Sequence, residues 1–370
     1  MKIGLIGAGR LGICLALLLE KAGYEVIVSD CRDDYITRLN NRIINTNEPQ
    51  VVEMLDDAKN FVATLDNVEV IKNCDIIYTL VPTPSLLDGS YDVNAVWKVV
   101  EDFKNCEFPI HGKTFVVGCT TNPGDCEMFQ EQLNAYGIDV YYNPEFIAQG
   151  SIIKDLQYAD MVLIGGEGKH LDVIKEIYNQ IQMIEPKVHI MSTTAAELVK
   201  LAVNCFLTTK ITYANMVGEV MALSGRECEI SKVLKAIGDD TRVGSKYLKF
   251  GYGYGGPCLP RDNRAFAAHA KKLGLEYNLG LTTDSFNQEH SKFLVDWFVN
   301  KNEQNLPFCF HYVSYKEDTD IIEESQQYRL CCDLLNLNYK VYVVDDLVKS
   351  KCDDRIIWGI PCEEVFWIDL

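Results

Sequence analysis

The chain is poor in positive charge, in histidine and in long apolar runs, and each shortage removes a class of function. Lys and Arg number 35 against 53 Asp and Glu, a formal net charge of −18 over 370 residues. A surface with that balance repels nucleic acid and anionic membranes, so neither is expected as a partner. No stretch is long or apolar enough to read as a membrane span. The apolar start is broken by glycines and leads into a strand-helix-strand pattern, unlike a signal peptide. The 6 histidines fall at no metal-binding spacing, and the 14 cysteines include no Cys-x-x-Cys pair, so no metal is expected. Thiols scattered in this way, two of them adjacent at Cys331 and Cys332, make a poor disulfide framework. They are expected to be reduced, in the cytoplasm.

What is present is core-forming. A hydrophobic content of 48% is ample for packed domains, and the length predicts two or three of them. The pattern predicts an α/β protein. It has an N-terminal Rossmann-type doubly wound sheet over 1–192, a central helical region over 193–305 and a short C-terminal α/β domain over 306–370.

The first thirty residues carry a dinucleotide fingerprint in its proper setting. A short apolar strand, Lys2 to Ile6, runs into Gly7-Ala8-Gly9-Arg10-Leu11-Gly12. A helix from Leu11 to Ala22 and a second strand ending at Asp30 follow. Glycines permit the tight turn and let a pyrophosphate approach the helix N-terminus. Asp30 lies where a carboxylate accepts from a ribose 2′-hydroxyl and repels a 2′-phosphate, which favours NAD over NADP. Arg32 nearby argues weakly the other way. In a sheet of this kind ligands sit beyond the carboxyl ends of strands. The loops after Val81, Gly118 and Tyr142 are therefore the expected substrate loops.

The densest cluster of unusual residues is Phe250-Gly-Tyr-Gly-Tyr-Gly-Gly-Pro-Cys258-Leu-Pro260-Arg-Asp262. Pro260 suits the first helical position and Asp262 the first turn. Cys258 would then stand at a helix N-terminus, where a thiol ionises more easily and the reactive thiolate forms. The competing reading is a glycine-rich turn that happens to hold a cysteine. Upstream, Thr193 to about Ser224 reads as one long helix, about 45 Å at ~1.5 Å per residue. Thr193 or Thr194 is its expected cap, with Glu197 at capping-box spacing from Thr194. Lys200 and Asn204 share a face at i, i+4, which by spacing alone is an exposed polar stripe. Tyr252 and Tyr254 could stack on a sugar or simply pack the loop. The histidines, His290 included, read as structural.

Taken in order, these motifs resemble the nucleotide-sugar dehydrogenase family from Met1 to about Ser325. The resemblance rests on the fingerprint with Asp30, Val81-Pro82-Thr83-Pro84, Thr120 and Asn143-Pro144-Glu145-Phe146. It rests further on Ala196-Glu197 with Lys200 and Asn204, Arg242, the cysteine stretch through Asp262, and Lys316 with Thr319-Asp320. It implies oxidation of a sugar C6 alcohol to the acid with reduction of two NAD, UDP-glucose being the leading substrate and GDP-mannose or another nucleotide hexose the alternative. Cys258 matches the nucleophile that captures the intermediate aldehyde. Lys200 and Asn204 match the donors for the oxyanion, and Asp262, with Thr120 beside it, matches the residue that positions water. Glu145 is a further acid/base candidate. Gly7, Gly9, Arg10, Leu11, Gly12, Asp30, Thr83 and Thr120 are assigned to NAD. Glu145, Phe146, Lys200, Asn204, Tyr247 and Gly255 are assigned to substrate, and Arg242 to the substrate of a neighbouring subunit. A homodimer built on the long helix is implied.

The departures are specific. The strand end reads Pro144-Glu145-Phe146-Ile147-Ala148-Gln149-Gly150, with an amide where the family commonly has a second glutamate. A neutral amide cannot take a proton from water at a useful rate. The usual lysine after Pro260 is Arg261, the usual C-terminal arginine is Glu323, and the C-terminal domain is short for the family. Two rival readings follow. One is a two-electron hydroxyacid or sugar-phosphate dehydrogenase, which needs no nucleophile. The other is a non-catalytic binder of NAD or a nucleotide sugar.

Overall fold

The inner strands of the N-terminal half are short, apolar runs buried on both faces, as parallel sheets require, while its two edge strands are partly exposed. A computed structural model of the chain describes residues 1–147 and 149–370. Ala148, in the departing motif, lies outside the described residues. Two compact units divide the chain, Met1–Lys200 and Leu201–Leu370.

The first unit alternates strand and helix: β1 (Lys2–Ile6), α1 (Arg10–Lys21), β2 (Glu25–Ser29), α2 (Asp33–Asn40), α3 (Val51–Asp57), β3 (Phe61–Thr64), α4 (Asn67–Asn73) and β4 (Ile76–Thr79). It continues with α5 (Asn94–Lys104), β5 (Thr114–Val117), α6 (Asp125–Leu133), β6 (Asp139–Tyr142), α7 (Ile152–Gln157), β7 (Met161–Gly165), α8 (Leu171–Ile181) and β8 (Lys187–Met191). The sheet order is β3-β2-β1-β4-β5-β6-β7-β8, doubly wound outward from β1. Every pairing is parallel except that of β6 with β7. Leu5 pairs with Val28 on one side and Tyr78 on the other, and all three are buried. Helices cover both faces in two apolar clusters, one around Ile3, Leu5, Leu15 and Val28, the other around Ile6, Ile77, Val100 and Phe115.

The long helix, α9 (Thr193–Leu223), is 31 residues, and the division between the units falls inside it. Its cap differs from the expected one. Ser192 Oγ accepts from the Ala195 amide, while Thr194 Oγ1 is buried with no hydrogen-bond partner. Glu197 does not reach back to its own helix. Its carboxylate accepts from Thr121 Oγ1 at 2.7 Å, the Gly124 amide at 2.7 Å and the Cys126 amide at 3.0 Å. A buried carboxylate takes the strongest donors available, and here they come from the loop that starts α6. Burial nevertheless pushes its pKa up to about 7 against those donors.

The second unit holds the rest of α9, then α10 (Ile230–Asp239), α11 (Leu259–Lys272), α12 (Leu279–Lys301), β9 (Phe308–Phe310), α13 (Gln326–Asn336), β10 (Val341–Val343), β11 (Ile357–Trp358) and β12 (Phe366–Trp367). The last four strands form a small parallel sheet in the order β11-β10-β9-β12. One core joins Ala214 of α9, Leu294 and Phe298 of α12, and Phe308, Leu330 and Val341 of the small sheet and its helix.

Glu197→Ala strands three donors, each worth about 1–3 kcal/mol when buried and unpaired. Urea denaturation is expected to show a loss of about 3 kcal/mol or more, with secondary structure otherwise retained.

Candidate active site

In the first unit, functional candidates gather at the carboxyl ends of β1, β4, β5 and β6. Gly7 has φ +100, and a Cβ there would lie 2.6 Å from the Leu80 carbonyl oxygen. A side chain at Gly12 would collide with the Gly7 carbonyl. Gly9 instead faces open space, with no heavy atom within 4 Å of a Cβ position. Helix α1 starts at Arg10 with no side-chain cap and no acid in its first turn. Its amides and dipole are thus left for an anion. Leu11 is half-buried against the sheet core, and Thr83 is buried in the loop after β4.

Asp30 lies across this turn. It accepts from the Ala8 amide at 3.1 Å and from Arg32 Nε and Nη2 at 2.8 and 2.9 Å. Burial works against its charge, but the Arg32 guanidinium and the main-chain amides of Arg32 and Ala8 outweigh it and hold the carboxyl below its usual range. Arg32, the residue that argued for a 2′-phosphate, is folded onto Asp30 and lies 4.1 Å from the Tyr35 ring centroid.

The departing Gln149 is tied to the same turn, its Oε1 accepting from Arg10 Nη1 at 2.8 Å. Buried Glu48 anchors the following backbone, accepting from the Gly150 and Ile152 amides. Glu145 is partly buried. Its carboxyl meets Tyr178 Oη at 2.5 Å, and its main-chain oxygen accepts from Lys200 Nζ at 2.9 Å. Burial pushes the Glu145 pKa up to about 7, against the pull of Tyr178 and Lys200. Lys200 Nζ also stands 4.8 Å from the Phe146 ring centroid. Lys200 is 8% exposed, which overturns the exposed-stripe reading of this face. Thr120 lies half-buried in the loop after β5.

In the second unit, Cys258 is exposed and occupies the N-cap of α11, so the helix begins at Leu259, earlier than expected, with Pro260 in its first turn. Asp262 is 2% exposed and accepts from Asn204 Nδ2 at 2.5 Å. The glycine-rich loop is held by three side chains. Asn215 accepts from the Gly251 amide and donates to the Tyr252 carbonyl. Asn287 accepts from the Tyr254 amide and donates to its carbonyl, both at 3.0 Å. Buried His290 sits between Glu219 Oε1 at 2.6 Å and the Gly251 carbonyl at 2.7 Å. Gly255 packs so tightly on the Glu324 carbonyl that a side chain would collide with it. Tyr254 is buried and Tyr252 packs on the core, so these rings fill the loop. Arg242 is exposed and paired with Asp240 at 2.7 Å, and Tyr247 is half exposed with φ +62.

Tyr178, Asn215, Asn287 and Glu219 carry no sequence signal, because each acts on a partner far along the chain. His290 was legible only as a structural histidine, and holding the loop is a structural task.

Residues 1–182 match the NAD-binding domain of the UDP-glucose/GDP-mannose dehydrogenase family, and residues 194–289 match its central domain. The chain belongs to that family. A UDP-glucose 6-dehydrogenase of Bacillus subtilis is 31% identical over 304 residues, covering 80% of this chain and 64% of the relative. The solved UDP-glucose dehydrogenase of Pyrobaculum islandicum superposes with a TM-score of 0.85 at 25% identity, over 97% of this chain and 86% of that one. A UDP-D-ManNAc dehydrogenase of Pyrococcus horikoshii shares the fold, with a TM-score of 0.80 at 22% identity over 93% and 83% of the two chains.

This member of the UDP-glucose/GDP-mannose dehydrogenase family is accordingly an NAD-dependent oxidoreductase acting on nucleotide sugars. The residues fit the cofactor: a turn only glycine can make, an open face at Gly9, an uncapped helix end and a carboxylate beyond them. No helix among the described residues is long and apolar enough to cross a membrane.

Gly12→Ala forces the Gly7 turn to move. Titration is expected to show NAD binding weakened about tenfold or more, about 1.4 kcal/mol; an unchanged Kd would remove this turn as the pyrophosphate seat.

Proposed function

We propose that the protein oxidises UDP-glucose to UDP-glucuronate in four electrons, through a covalent adduct on Cys258. The observation that carries this reading is an exposed cysteine at the N-cap of a 14-residue helix, on a clamped loop, one turn from a buried carboxylate. A rigid loop holds a nucleophile in attack geometry, and a helix N-terminus favours its thiolate.

Gly7, Gly9, Arg10, Leu11, Gly12, Asp30, Thr83 and Thr120 would hold NAD, and two NAD bound in succession would each accept two electrons, the first in taking the C6 alcohol to the aldehyde. The chain's own residues do the rest. Cys258 Sγ adds to the C6 aldehyde; the carbonyl pair moves to oxygen and takes a proton, giving a thiohemiacetal. Lys200 and Asn204 are donors suited to that oxyanion. After two-electron oxidation to the thioester, water adds at the carbonyl, the C–S bond breaks, and the thiolate and the acid separate. A group must take the water's proton. Gln149 cannot and is engaged with Arg10, so we assign this role to Glu145; the family resemblance assigns the placing of the water to Asp262 and Thr120. Phe146, Tyr247 and Gly255 line the substrate.

The names of the relatives favour UDP-glucose over GDP-mannose or an N-acetylhexosamine. We also read 1–192, 193–305 and 306–370 as functional domains, the enzyme as cytoplasmic, and the assembly as a homodimer. The dimer rests on α9, where Phe206, Tyr213, Met216, Val220 and Leu223 are all exposed. Their three-, four- and seven-residue intervals make one apolar stripe, in a form suited to a second copy. Arg242, freed from Asp240, would reach the neighbour's substrate.

With NAD in excess and UDP-glucose run to completion, two NADH per sugar are expected from the wild type, and Cys258→Ala should not reach that yield. One NADH per sugar in continuous turnover, retained in Cys258→Ala, would replace the covalent reading with a two-electron dehydrogenase; binding without NADH from any nucleotide hexose would leave a binding protein. Val220→Asp should shift sedimentation toward monomer at micromolar concentration, whereas an unchanged profile would place the dimer contact elsewhere.

A further inference from the structure

Tyr178 has one hydroxyl proton and two acceptors in reach. Its Oη lies 2.5 Å from Glu145 Oε1 and 2.7 Å from Asn143 Oδ1. The orientation of the Asn143 amide is set from behind, because its Nδ2 donates to the Leu163 carbonyl at 2.9 Å. The two contacts therefore cannot both be donated by the tyrosine. When Glu145 is ionised, the Tyr178 proton points to the carboxylate. When Glu145 is protonated, its own O–H donates to Tyr178, and the tyrosine proton turns to Asn143.

We propose that Tyr178, backed by Asn143, is a positioning residue for Glu145, a proton switch that gives it a partner in both protonation states. Glu145 can then exchange a proton with water without stranding a buried donor, so little reorganisation accompanies the transfer. This deepens the proposed function, on which it rests, by supplying the base that Gln149 cannot be. Both supporting side chains are buried. Tyr178 is on α8 and is 1% exposed; Asn143 follows β6 and is 2% exposed. The other charged or titratable groups facing Glu145 are Lys200 of α9, whose charge favours the carboxylate, and Tyr78 of β4. The Tyr78 hydroxyl is buried with no hydrogen-bond partner, so no second tyrosine competes with Tyr178 for the carboxyl.

Burial raises the Glu145 pKa from 4.5 to about 7, which places its change of state in the working range of a general base. The sign for the fold is the reverse of a salt bridge. The stability contributed by this carboxyl is full below 4.5 and is lost as pH rises through about 7. For the reaction, the ionised form is the active one, so thioester hydrolysis should rise with pH through the same range.

The test is Tyr178→Phe, which keeps the ring and removes only the hydroxyl. The Glu145 carboxyl band, assigned by its loss in Glu145→Gln, is titrated by infrared spectroscopy in the whole protein. Beside it, the pH–rate profile for release of the sugar acid is measured. Losing a hydrogen bond to the carboxylate should move the infrared midpoint up by about one unit. The rising limb of the rate profile should move with it. That corresponds to a rate about tenfold lower below the limb and little changed well above it. A tyrosine with only a packing role would lower the rate equally at every pH. An infrared midpoint unmoved in Tyr178→Phe overturns the switch. A midpoint that moves without the rate limb overturns Glu145 as the base. The covalent reading is judged separately, by mass measurement of acid-quenched enzyme: absence of an acyl group on Cys258 refutes that reading, while the infrared titration still decides the switch.

Discussion

A polar group taken out of water must be given partners, and most of what is specific to this protein follows from how that demand is met. Several buried carboxylates and amides here find their partners far along the chain. Glu197 closes the loop before α6, Asp262 takes the amide of Asn204, and Asn287 clamps Tyr254. Each such group would cost several kcal/mol if left alone. Glu197 and Asn287 each pin a loop, and Asp262 ties α11 to α9. Of the catalytic candidates, Cys258 follows the loop clamped by Asn287, whereas Lys200, Asn204 and Asp262 stand on helices.

The same demand separates the two kinds of carboxylate in the molecule. Asp30 is surrounded by donors, chiefly the Arg32 guanidinium, and stays ionised well below neutrality. Glu145 has a shared tyrosine proton and a lysine that spends its bond on the main chain, so burial prevails and its pKa rises to about 7. One is suited to accept hydrogen bonds without taking a proton, the other to take one. That difference is set by the number and charge of nearby donors, not by residue type.

Glycine has a distinct part in each unit. At Gly7 and Gly12 its absence of a side chain lets the first turn fold against β4 and helix α1 approach that turn. At Gly255 it lets the cysteine loop lie against the Glu324 carbonyl. In both places the backbone comes closer than any Cβ would allow. The exposed face at Gly9 differs, since nothing of the protein occupies it.

By itself the sequence determined what is local or periodic. The strand, turn, helix and acid of the first thirty residues interact within one supersecondary unit, so their order and spacing are enough. The length of α9 and the doubly wound alternation follow from apolar patterning, as does the cysteine at the start of a helix from Pro260 and Asp262. The edge strand β3, four residues long with Val62 exposed, has too little pattern to read. Tertiary structure alone decided which polar groups meet. Glu197 has the spacing of a capping box, but its donors lie more than 70 residues away. Tyr178 is one apolar position on an amphipathic helix until the fold sets it against Glu145, 33 residues earlier in the chain. Local propensity is worth tenths of a kcal/mol per residue, whereas an unpaired buried charge costs several. Where the two conflict, the long-range partner prevails, and only the folded chain reveals which partner that is.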